Sequence, residues 1–326
     1  MDQVLGWGVD WILLIQQHRT GLLDQFFRAV TTLGGQGHIY IVPFVIWCLS
    51  YRAGSRMLLT LLLSTLVNFG LKDVFAQPRP FDLEPRIGPD REMGFGAPSG
   101  HAQHTLIEWG LIAAWAGRRW FTVLAVLLVV LIGFSRVYLG VHFPTDVLAG
   151  WVLGGAMLWL HLRHADAVAA RLAAAGCGAQ LAIALGVSAL FVAFYLLLPR
   201  TPYVVGAGGL FFGAAAGISL CRRWLRAPEG GAPWQRALRY VLGLAVLLTW
   251  LAQSGKWVPE QRELAWFLVV YANNAVAGLW LTFGAPALFQ AARLAGPDAV
   301  GPAAVGPATV GPASAGHPAT AKSTSG

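Results

Sequence analysis

Charge is what this chain most lacks: Asp, Glu, Lys and Arg make up 12% of its 326 residues, against 56% hydrophobic residues. A soluble domain of this length has no use for so much apolar sequence, and the apolar residues fall into runs long enough to cross a bilayer. A concentrated basic patch is missing too. The net charge of +8 is scattered among hydrophobic runs, which argues against a nucleic-acid partner. Cysteine is rare. Cys48, Cys177 and Cys221 are odd in number and sit in or beside apolar runs, with neither a disulfide framework nor metal-ligand spacing, so they read as small packing residues. The chain also begins with Asp2 rather than the positive charge that opens a signal peptide.

Hydrophobic length takes the place of charge. Residues 1–37 read as an interfacial segment, because Trp7, Trp11, Ile12 and Ile15 alternate with Asp2, Asp10, Gln16 and Gln17 and tryptophans favour headgroup depth. Apolar runs follow at 38–51, 57–75, 101–116, 120–134, 146–162, 180–198, 203–221, 238–254 and 263–289. The expected fold is therefore all-α: a polytopic integral membrane helical bundle of about nine transmembrane helices with an N-terminal interfacial helix. Six of these runs lie in 38–198 and about three in an extension over 199–295. The abundance of Ala and Gly in the runs predicts close helix packing. From Gly296 the pattern changes to five-residue units such as Gly-Pro-Ala-Ala-Val, so 296–326 reads as a disordered Gly/Pro/Ala tail with little to bury.

Charge asymmetry then orients the bundle. Connections after the first, third, fifth and seventh runs carry Arg52, Arg56, Arg118, Arg119, Arg163, Arg171 and the arginines from Arg222 to Arg239, opposed only by Asp166 and Glu229. The opposite connections hold Asp82, Glu84, Asp90, Glu92, Glu260 and Glu263. The positive-inside rule makes the arginine-rich loops and the C-terminus cytoplasmic. The expected location is the inner (plasma) membrane, with the N-terminus and the polar motifs on the extracytoplasmic side.

Those motifs are the few polar stretches between runs. In Ser135–Asp146, Arg136, His142 and Asp146 stand together beside the membrane core, where charge is costly unless it is paired or functional. Pro144 suits the first turn of a helix, from which the Asp146 carboxylate reaches back to orient His142. Lys72 ends one run, and Arg79-Pro80 follows in a proline-stiffened loop. Ser99 is a natural N-cap, with Gly100 and His101 in the first turn behind it, and a helix N-terminus attracts anions. Three cations, a helix N-terminus and two histidines on one membrane face suit a phosphoryl group. Glu108 lies on a similar helical face to His101 and either supports it or pairs elsewhere. His104 reads as structural.

The three stretches Lys72…Arg79-Pro80, Pro98-Ser99-Gly100-His101 and Ser135-Arg136…His142…Asp146 resemble, in order and spacing, the three-part signature of the type 2 phosphatidic acid phosphatase superfamily. That superfamily includes lipid phosphate phosphatases, glucose-6-phosphatases and vanadium haloperoxidases. The resemblance spans about residues 57–162 and implies that His142 is a nucleophile forming a phosphohistidine. It implies further that Asp146 orients His142 and that His101 protonates the leaving oxygen, then activates water. Lys72, Arg79 and Arg136 would hold the phosphoryl oxygens, with Ser99 and the Gly100 N–H. No cofactor is implied, and no carboxylate cluster suits a divalent metal.

On the same resemblance, 38–198 would be the catalytic six-helix phosphatase core. A nine-span layout with an outside N-terminus is similar to glucose-6-phosphatase. The leading expectation is a phosphatase for a membrane lipid phosphate or pyrophosphate, of the undecaprenyl pyrophosphate, phosphatidic acid or phosphatidylglycerophosphate type. A sugar-phosphate phosphatase and a non-enzymatic phospholipid-binding or flipping protein stay open as alternatives. The partners expected are the bilayer and its lipid substrate, and the C-terminal helices leave room for a homo-oligomer. Tyr271, Asn273 and Asn274 in the last run read as helix-packing groups.

Overall fold

The computed structural model describes residues 2–88, 90–197 and 202–295, so the repeat tail expected from Gly296 lies outside the described residues. Regular structure there is helical throughout. In chain order the helices are α1 (Asp2–Gln16), α2 (Gly21–Gly34), α3 (His38–Phe44), α4 (Tyr51–Phe75), α5 (Pro80–Leu83), α6 (Gly100–Ala116) and α7 (Arg119–Tyr138). They continue as α8 (Pro144–Ala174), α9 (Cys177–Leu197), α10 (Tyr203–Trp224), α11 (Pro233–Ser254), α12 (Leu264–Leu279) and α13 (Ala285–Ala291). Two π-helical turns interrupt the series, Val45–Leu49 after α3 and Trp280–Gly284 between α12 and α13.

Seven helices among the described residues are long and apolar enough to cross a membrane, and eight if α2 and the helix His38–Leu49, bent by 47° at their break, make one broken crossing. That is close to the nine expected. The remaining run is α6, whose 17 residues carry His101, Gln103, His104 and Glu108 and so fall short as an apolar span. The stretch expected to be interfacial is two helices, of which the second belongs to the broken pair. The outer faces are apolar. On α7, Trp120, Val126 and Leu127 are 67%, 56% and 61% exposed, a surface that only lipid solvates well. The chain is an integral membrane protein.

Ends of helices explain where the chain turns. Ser50 caps α4 by accepting from the Ala53 N–H, and Ser99 caps α6 towards Ala102. Gly117 closes α6 in the left-handed region at φ 62°, where a Cβ is strained. The arginine-bearing ends gather at one end of the bundle: Arg56 pairs with Asp166 at 2.6 Å, and Glu229 accepts from Ser50 Oγ at 3.3 Å. Burial pushes the Glu229 carboxyl above its usual range, against the pull of those hydrogen bonds. Lys72, Arg79, His101, Arg136 and His142 all lie at the opposite helix ends.

The largest core joins α4 and the first π turn to the C-terminal helices, around Ile46, Trp47, Phe191, Phe211, Leu281 and Phe289. A π turn displaces its carbonyls from the helical ladder, leaving them to accept elsewhere. Trp47 Nε1 donates to Leu281 O at 2.9 Å and the Tyr51 hydroxyl to Thr282 O at 2.7 Å. Helix α10 presents Gly209 and Gly213 to α12 and, four residues on, Gly217 to the second π turn, and a Cβ on Gly213 would run into the Ala275 carbonyl. Gly213→Ala should therefore cost about 1–3 kcal/mol through overpacking, read as a lower melting temperature in detergent. Melting at or above the wild type would contradict so close an approach.

Candidate active site

Asp146 organises the site, and its place follows from how α8 starts. Pro144 opens the helix and Phe143 stands just before it, so Asp146 is at the third helical position. Its Oδ2 accepts from the Phe143 N–H at 3.0 Å and faces His142 Nδ1 at 3.2 Å. Oδ1 accepts from Gln77 Nε2 at 2.6 Å, and the Asp146 carbonyl accepts from the Ser99 N–H at 2.9 Å. With Nδ1–H committed to the carboxylate, the lone pair of His142 Nε2 points away from Asp146. There it meets Arg79 Nη1 at 3.4 Å.

The cations converge around that nitrogen. Lys72, in the last turn of α4, is buried and donates to Phe95 O at 2.6 Å and Gly96 O at 2.9 Å. Arg79 is 4% exposed and donates to Val141 O (2.8 Å), Gly94 O (2.7 Å), Met93 O (3.1 Å) and Glu92 Oε2 (3.2 Å). Arg136, in the last turn of α7, is 2% exposed; its Nη1 donates to Thr31 Oγ1 at 2.5 Å and its Nη2 to Glu92 Oε1, while its Nε has no partner. One carboxylate, Glu92, thus joins the two guanidiniums.

His101 stands in the first turn of α6 against the end of α2, where a Cβ on Gly35 would come within 2.7 Å of its Nε2. Only a residue without a side chain leaves room there. Ser99 is fully buried, and Asn68 supports the approach to α6 by donating to Pro98 O at 3.3 Å and to Gln103 Oε1 at 2.8 Å. Glu108 does not serve His101: its Oε2 pairs with Nδ1 of His38, at the break between α2 and α3. His104 is half-buried, and its Nε2 is shut away from solvent without a partner.

Burial holds the His142 imidazole well below its usual pKa, and the charges of Lys72, Arg79, Arg136 and His101 press the same way. It is kept neutral, as a nitrogen nucleophile must be. Among the described residues no group of three or more His, Cys, Asp or Glu side chains could hold a metal ion. Together these groups can do one kind of chemistry: place an oriented, neutral imidazole beside a cradle of cations that stabilises equatorial negative oxygens.

Three contributors escaped sequence reasoning. Gln77 carries a signal only in hindsight, as the residue ahead of Pro78. Thr31 belongs to a helix 105 residues from Arg136. Glu92 sits in a loop with no periodicity to read.

Comparison with known proteins places this site in a family. The PAP2 superfamily matches residues 53–168, which include every site residue named from the sequence, and a second match over residues 205–297 is to the PAP2 superfamily phosphatase, transmembrane extension. An undecaprenyl-diphosphatase of Sulfolobus acidocaldarius is 29% identical over 175 residues, 50% of this chain and 80% of that protein. Phosphatidylglycerophosphatase B of Bacillus subtilis is 31% identical over 154 residues, 42% of this chain and 73% of that protein. Lipid phosphate phosphatase delta of Arabidopsis thaliana is 30% identical over 177 residues, 49% of this chain but 42% of that protein. The chain belongs to the PAP2 superfamily. Residues 205–297 are similar to the transmembrane extension of PAP2 superfamily phosphatases.

Removing the Gln77 amide tests how much the orientation of Asp146 matters. Gln77→Ala should lower kcat about tenfold, the worth of one hydrogen bond to a charged group, with KM little changed. A rise in KM at constant kcat would instead make Gln77 a substrate contact.

Proposed function

We propose that this protein hydrolyses the terminal phosphate of a membrane lipid, a monophosphate or a pyrophosphate, through a phosphohistidine on His142. The observation that carries the reading is the His142–Asp146 pair, with Nε2 turned into a cradle bordered by Arg79 at 3.4 Å. In the first step Nε2 attacks phosphorus and the bond to the lipid oxygen breaks. His101 gives its proton to that oxygen. In the second step His101 takes a proton from water, whose oxygen attacks phosphorus and releases phosphate and free His142. Asp146 holds Nδ1–H throughout and stabilises the imidazolium-like transition state. Lys72, Arg79, Arg136, Ser99 and the Gly100 N–H stabilise the charge on the equatorial oxygens, each such contact being worth on the order of 3 kcal/mol.

A lipid substrate is supported by the position of the site at the ends of membrane-spanning helices and by the relatives, which are named for undecaprenyl diphosphate, phosphatidylglycerophosphate and lipid phosphates. The site takes the extracytoplasmic side, because the arginine-rich helix ends are gathered opposite to it. Hydrolysis is metal-independent, since the cradle supplies its positive charge from side chains.

The test is phosphate release by purified protein in detergent with EDTA, comparing undecaprenyl pyrophosphate, phosphatidic acid, phosphatidylglycerophosphate and glucose 6-phosphate. Turnover of a lipid should persist in EDTA and vanish in His142→Ala, which should still fold. Near wild-type activity in that variant would sink the assignment, and turnover of glucose 6-phosphate alone would move the substrate class to sugar phosphates. Quenching the wild type during turnover of a 32P-labelled lipid should trap an acid-labile label that His142→Ala lacks.

A further inference from the structure

Glu92 is the acidic side chain inside the cationic cradle that no step above uses. Its two oxygens take one N–H each from Arg79 and Arg136, so the carboxylate stands where two phosphoryl oxygens would. The segment around it is pinned. Arg28 holds Asp90 with a fork of 3.0 and 3.1 Å, and Arg79 and Lys72 take the carbonyls of Met93, Gly94, Phe95 and Gly96. Glu92 itself is a third exposed, so an exit to solvent is open to it.

We propose that Glu92 is a resident competitor for the cradle, strong enough to keep out phosphodiester headgroups, which bring one negative charge, and weak enough to yield to a terminal phosphate, which brings more. Exchange must replace one negative charge on two buried guanidiniums. A phosphodiester brings a single charge and gains nothing over the carboxylate it expels. A phosphate monoester or terminal pyrophosphate brings about −1.5 to −2 at neutral pH and gains a stronger, charge-assisted set of bonds. The surrounding bilayer presents diester headgroups in large excess over any terminal phosphate, and a resident competitor weakens both ligands by one factor, which empties the cradle of the weaker ligand while the stronger still fills it.

The inference rests on the proposed phosphatase reading, and the experiment separates the two. In mixed micelles, hydrolysis of the lipid that the wild type turns over is measured with phosphatidylglycerol as inhibitor, and binding of inorganic phosphate is followed by calorimetry, which needs no turnover. In Glu92→Gln, half-inhibition by phosphatidylglycerol should fall to about one tenth of the wild-type concentration, and inorganic phosphate should bind about tenfold tighter. Glu92→Asp, which keeps the charge, should stay near the wild type. Unchanged inhibition and binding in Glu92→Gln would overturn the proposal. So would weaker binding of both ligands, which would mean that Glu92 only braces the arginines. Should Glu92→Gln fail to fold, the wild type alone decides: phosphate must compete strongly and dimethyl phosphate hardly at all, and equal competition refutes the filter. Tighter phosphate binding in a protein that hydrolyses no lipid would sink the phosphatase reading and leave the filter standing.

Discussion

One buried carboxylate holds three separate parts of the chain to a common point. Asp146 caps α8 through Phe143, fixes the His142 ring and receives Gln77 from beyond the end of α4, while its carbonyl receives the Ser99 N–H that leads into α6. A charge at 1% exposure is tolerated only when its lone pairs are engaged, and here the groups that engage it are the ones the chemistry needs in place. Helix start, oriented imidazole and cation cradle are therefore one arrangement.

The cradle faces a different constraint. Two guanidiniums and an ammonium are drawn into a buried site at helix ends, and their positive charge must be compensated before any substrate arrives. The loop between α5 and α6 supplies that compensation through backbone carbonyls and a single carboxylate. Resting-state stability and substrate affinity are opposed at this point, because every group that quiets the cations also has to be displaced.

The fold and the grouping of the candidate site's residues were legible in the sequence because both are written locally. Spans are continuous apolar runs, and the reactive groups sit in short stretches whose spacing sets a helix start or end, as with Pro144 and Asp146. What was not legible depends on pairing across the chain. Glu108 finds His38, 70 residues away, rather than His101 nearby. Glu92 lies in a loop that offers no period, and only the fold brings it between Arg79 and Arg136. The bend between α2 and α3 escaped notice for a related reason: Gly34, Gly35 and Gly37 mark flexibility, but the closeness of Gly34 and Gly35 to His101 appears only when α6 is set against them.

The facing π turns give the C-terminal extension a second property. Inside a bilayer, helices gain little by hiding apolar surface from one another, so a smooth contact can slide or rotate at small cost. The Trp47 indole and the Tyr51 hydroxyl, seated in the carbonyls of Leu281 and Thr282, break that smoothness. Moving the extension by one helical turn would strand two donors in hydrocarbon. The joint is a keyed coupling between the extension and the start of α4, whose far end carries Lys72.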